Sequence, residues 1–164
     1  MSEAKPPLPE QFKGAAAFLT MPEYKILEII LALRKKDFED GSPEKKACDD
    51  LFIEFAHNGN LEIKRTLIHP GLCEKAQEIL ADDENYEIKR SLTWNTESSA
   101  ILIKLLHDPS PDTSNGVLER FYQMGNDPIE KQLSPADYAA IKVVVDQIKK
   151  EQDAILATLG INGP

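Results

Sequence analysis

Lys64-Arg65 and Lys89-Arg90 recur 25 residues apart in a chain of 164. Adjacent cations at a fixed period are suited to an anion, either the carboxylates of a partner protein or a phosphate backbone. The same cations can instead pair with Glu62, Glu87 and the acidic turns around them. Their aliphatic stems would then cover apolar surface. Trp94, the single tryptophan, and Tyr86 flank the second pair. Together with Phe121 and Tyr122, Trp94 is suited to an aromatic anchor of the kind that dominates protein interfaces. The competing reading of Trp94 is a plug at a junction between helices. The candidate partner-binding residues are therefore Lys64, Arg65, Tyr86, Lys89, Arg90 and Trp94.

Other chemistry is poorly supplied. His57, Asp82 and His107 share a column of the same 25-residue register. Successive rungs of packed helices lie about 10 Å apart, whereas the ligands of one metal lie within about 2.0–2.2 Å of it. The register therefore predicts helix-terminal residues facing the negative end of the helix dipole, with no metal site. Cys48 and Cys73 are separated in the same way and are too few for a thiolate cage or a disulfide framework. No glycine-rich phosphate loop, His-Glu-x-x-His pair or serine nucleophile elbow occurs. The carboxylates lie mostly in turns, where no desolvation would prepare one for acid catalysis. No enzyme and no cofactor is expected.

Composition narrows the partner. Twenty-eight Asp+Glu against 19 Lys+Arg give a formal charge of −9. That disfavours a dedicated nucleic-acid binder, whose affinity rests on neutralising phosphates. With 41% hydrophobic residues the chain can build a packed core. No apolar run approaches the roughly 20 residues needed to span a bilayer. The opening MSEAKPPLPEQFKG lacks the basic and apolar regions of a signal peptide. A reducing, prokaryotic-type cytoplasm is the expected compartment.

These residues need elements to hold them. Residues 1–19, with Pro6, Pro7 and Pro9, read as a flexible arm, and PPLP as a possible polyproline ligand. A first helix is expected from a Thr20 cap to about Phe38, broken by Asp40-Gly41. A second starts at Ser42-Pro43, an N-cap with proline in the first turn, and runs to about His57. Then the chain repeats. Leu61–Leu67 and Tyr86–Leu92 share the run Glu-Ile-Lys-Arg. Phe55, Leu80 and Leu105 form one column at the same offset, Ala56, Ala81 and Leu106 the next, and Cys48, Cys73 and Ser98 another. Each unit, about 61–85 and 86–110, reads as two short helices and an acidic turn. Such units bury their apolar faces on one another. The third copy decays: residues 111–116 read as a polar loop, followed by a short helix from Val117 to Met124 and a second loop at Gly125–Pro128. A long capping helix follows, about 135–159, with a Ser134 cap and Pro135 in the first turn. Its residues Tyr138, Ile141, Val145, Ile148, Gln152, Ile155 and Leu159 alternate spacings of three and four.

The segment from about 51 to 108 resembles the leucine-rich repeat variant family, related in spirit to HEAT repeats. The residues that carry the likeness are Asp83–Thr96 followed by Ala100–Asp108. The resemblance implies an all-α, short right-handed α-solenoid used as an interaction scaffold. Trp94 and His69-Pro70 depart from its usual pattern. The cysteine cluster of some members is absent, so no iron–sulfur role is carried over.

The expected protein is a single all-α helical-repeat domain over 20–164, acting as a non-catalytic adaptor or regulatory scaffold for another protein. One alternative is a HEAT-like protein contacting nucleic acid through the Lys64/Arg65 and Lys89/Arg90 rungs. A second is an acidic inhibitor or immunity-type protein masking a basic partner.

Overall fold

The computed structural model describes residues 20–123 and 129–160. The arm expected over 1–19 and the loop expected at Gly125–Pro128 lie outside the described residues. Every regular element among those described is a helix, and none is long and apolar enough to cross a membrane. The chain divides into two compact units, one ending at Thr96 and one beginning at Glu97. The boundary falls inside the expected second repeat.

The first unit holds α1 (Glu23–Arg34), α2 (Pro43–Asn58), α3 (Leu61–Leu67), α4 (Glu74–Ala81) and α5 (Tyr86–Asn95). Helix α1 begins at a Pro22 cap and not at Thr20, because Pro22 turns extended at ψ 138° and offers its carbonyl to Lys25 and Ile26. It also stops four residues short of Phe38. After Leu33 the sequence turns to Arg34-Lys35-Lys36-Asp37, which leaves no apolar face to bury, and Gly41 then takes φ +78°. Helix α2 starts where its sequence says: Ser42 Oγ accepts from the Lys45 N–H, with Pro43 in the first turn. Its Leu51, Phe52, Phe55 and Ala56 are buried. The three larger side chains stabilise the unit by about 1.5–3 kcal/mol each. Helix α2 packs on α3 and α4, α1 on α3, and α5 on both α3 and α4.

The second unit holds α6 (Ser99–Leu106), α7 (Pro111–Tyr122), α8 (Ile129–Gln132) and α9 (Pro135–Thr158). Helix α6 buries the expected stripe of Ile101, Leu102, Leu105 and Leu106. The polar loop expected at 111–116 is instead the start of α7. Ser110 precedes Pro111 at the first position, and Asp112 lies at the positive end, which is a helix start despite the polar composition. The helix lives on Thr113, Val117 and Arg120, all buried on one face. Arg120 donates to Gln132 Oε1 at 2.7 Å, tying α7 to α8. Helix α9 is capped by Ser134 and packs on α6 and α8, with Ile141 and Val145 buried.

Burial follows the 25-residue offset closely. Leu51, Ala76 and Ile101 are buried, as are Phe52, Gln77 and Leu102, and then Phe55, Leu80 and Leu105. The short helices agree: Ile63, Ile88 and Thr113 are buried, and so are Leu67, Leu92 and Val117. The columns therefore reach α7, where the letters of the sequence had diverged.

Candidate functional site: a groove on helix α5

The candidate residues of the sequence all fall in the first unit, on α3 and α5. The turn between α4 and α5 fixes their geometry. Asp83 accepts the Asn85 N–H through Oδ1 at 2.8 Å and the Lys64 ammonium through Oδ2 at 2.6 Å. Asn85 Oδ1 accepts the Glu87 N–H and so caps α5. One carboxylate thus sets both the start of α5 and its distance from α3. The Lys64–Asp83 pair is mostly shielded, with side chains 20% and 11% exposed. Arg65 bridges Glu62 at 3.0 Å and Glu87 across to α5. The first basic rung is therefore satisfied within the protein.

The second rung is different. Tyr86, Arg90 and Trp94 follow at i, i+4 and i+8 along α5 and share a face. Tyr86 is 54% exposed and Trp94 38% exposed, and Arg90 is exposed between them. No carboxylate of the described residues forms an ion pair with Arg90. Lys89, its neighbour, is half-buried and already engaged. With Arg65, Glu87 and Ser91, these three side chains line an open groove of about 470 Å³. Trp94 is partly covered and partly exposed at the end of this groove. Phe121 and Tyr122 lie on α7 in the second unit, where Phe121 stacks on Tyr138 with centroids 5.4 Å apart.

A buried amide holds the end of α5. Gln77 on α4 donates to the Leu72 carbonyl at 2.6 Å and accepts from the Thr96 hydroxyl. Thr96 is the residue that ends α5, two positions past Trp94. Residue spacing alone does not reveal this clamp. Its signal was Gln77 itself, a polar residue in the apolar column of Phe52 and Leu102.

A second cavity of about 240 Å³ opens beside α1 and α2, with Lys45, Cys48, Asp49, Phe52 and His69 in its wall. Lys45 pairs with Asp49 at 2.9 Å. The Leu67 carbonyl can only accept, so His69 Nδ1 carries its proton and donates to it at 2.6 Å. Burial holds His69 below its ordinary value, so the ring is neutral near pH 7. Burial also pushes the Cys48 thiol up to about 12 and raises Cys73. Neither sulfur is a thiolate nucleophile at neutral pH. Among the described residues no three of His, Cys, Asp and Glu are placed to hold a metal ion. His57 and Asp82 end helices in the first unit. His107 caps α6 in the second and donates from Nδ1 to the Ile103 carbonyl.

Comparison of the chain with protein-family models, with curated proteins and with solved structures gives no match.

Proposed function

We propose that this chain is a non-catalytic protein–protein interaction module, a small adaptor or regulatory scaffold, and that it docks its partner in the α5 groove. The reading takes the helices as repeats of a short right-handed α-solenoid of the HEAT-like and leucine-rich-repeat-variant kind. The shared burial at the 25-residue offset supports that arrangement. One observation carries the function. Among the described residues Arg90 forms no ion pair, and it is exposed between two exposed aromatic rings. An aromatic pair flanking a guanidinium suits a partner segment that presents a carboxylate between apolar side chains. A nucleic acid fits less well, because Lys64 and Arg65 are held by Asp83, Glu62 and Glu87. A phosphate would have to displace them in a chain of charge −9.

Affinity capture from the native cell tests this, with the chain, Arg90→Glu and Trp94→Ala as baits. Lys75→Glu is the control, an exposed cation on α4 paired with Glu78. The expected result is a protein held by the wild type and the control and lost by both groove variants. Equal recovery on all four baits would refute the groove.

A further inference from the structure

Helix α9 is longer than its own unit can cover. Ile141 and Val145 are buried, but no residue from Asp146 to Thr158 is. Ile148 is half-buried, while Ile155 and Leu159 are 60% and 67% exposed. A helical segment of that length without packing is marginal in water, where isolated helices shorter than about 12–15 residues are barely stable. The apolar pattern nevertheless continues through it. Tyr138, Ile141, Val145, Ile148, Gln152, Ile155 and Leu159 keep the three–four alternation of a coiled-coil seam.

We infer that the C-terminal half of α9 pairs antiparallel with the same segment of a second copy of this chain. Charge permits it: Ile148–Leu159 carries two lysines and two carboxylates, against −9 for the whole chain, so two copies meet without net repulsion. Geometry selects the direction. The seam faces α6 at Ile141 and Val145 and keeps that side as it runs on. A parallel partner would need its own α6 in the space the first copy's α6 occupies. An antiparallel partner ends where α6 begins, and the two bodies lie at opposite ends. Ile148 of one copy then meets Leu159 of the other, and Gln152 meets Ile155. Lys149 falls opposite Leu156 and Glu151 opposite Thr158, so no like charges face each other. The two Gln152 residues fall on either side of the two-fold axis, about 4–5 Å apart along the helix direction at a rise of 1.5 Å per residue. Their amides can bond to each other there, and a polar residue in a seam fixes register.

Sedimentation equilibrium of the full chain tests this from low to high micromolar concentration. The wild type moves from the 18.3 kDa of one chain toward twice that mass. Ile155→Glu stays at the mass of one chain with an unchanged unfolding transition, because Ile155 is 60% exposed in its own copy. Direction is read by disulfide crosslinking in a Cys73→Ser background. Gln152→Cys crosslinks readily, whereas Ile148→Cys does not, its two copies being about 16 Å apart along the helix direction. A single-chain mass at every concentration, undiminished association of Ile155→Glu, or crosslinking at 148 in preference to 152 each overturns the pairing.

Discussion

Gln77→Leu removes the amide that clamps the end of α5, and its cost follows from the structure. The variant takes the Nε2 donor from the Leu72 carbonyl and the Oε1 acceptor from the Thr96 hydroxyl. Leaving a buried carbonyl without its donor costs about 1–3 kcal/mol, and losing the second bond about 1 kcal/mol. Leucine returns about 1 kcal/mol by burying apolar surface in a column otherwise filled by Phe52 and Leu102. The net expectation is a loss of about 2 kcal/mol. For a unit of this size that is a fall in Tm of about 8–16 °C. Trp94 makes the assay specific: it is the only tryptophan and sits in the first unit, so its emission follows that unit through a thermal or urea transition. Thr96→Val alone should cost less, and the double variant should cost less than the sum of the two, because they share one bond. A Gln77→Leu protein as stable as the wild type would refute the clamp, leaving Gln77 as a polar residue the column merely tolerates.

Three further outcomes follow from the packing. Thr113→Val should raise stability by about 1 kcal/mol in denaturant titrations, because the buried Thr113 hydroxyl, in the column of Ile63 and Ile88, has no hydrogen-bond partner among the described residues. Gly59→Ala should cost about 1–3 kcal/mol or more, since its Cβ would lie 2.6 Å from both the Phe55 carbonyl oxygen and Ile63 Cγ2. A wild-type-like melting curve would contradict that. Acidification should destabilise the first unit through His69. Its folded pKa lies below the ordinary 6.5, so the unfolded chain takes up the proton first. The contribution is complete above about 6.5 and is lost as pH falls below it, and His69→Gln should flatten that part of the stability–pH curve.

Much of the first unit was legible because Leu61–Leu67 and Tyr86–Leu92 carry nearly the same residues. The shared Glu-Ile-Lys-Arg run placed α3 and α5 in register, and Ser42-Pro43 and Ser134-Pro135 fixed two helix starts from cap chemistry alone. The start of α7 was not legible. Asp112–Gly116 carries no apolar residue, and Thr113 fills its core position by shape rather than by polarity. The end of α1 falls four residues before Phe38, because the charged run Arg34-Lys35-Lys36-Asp37 offers no apolar face to bury. At the groove, the residue types pointed to α3 and α5, where the candidate cations and aromatics lie. The division of labour within it did not show: which cations are neutralised depends on Asp83 and Glu87 reaching α3 from positions 19 and 22 residues away. Spacing along one helix cannot reveal that.

The most direct test of the groove is Trp94 itself, once a captured partner is in hand. Acrylamide quenching of the single tryptophan should be strong in the free chain, where the ring is 38% exposed, and should fall sharply when the partner is added. Arg90→Glu should abolish the change at the same concentrations. A partner that binds the chain while Trp94 stays as quenchable as before would contradict the account.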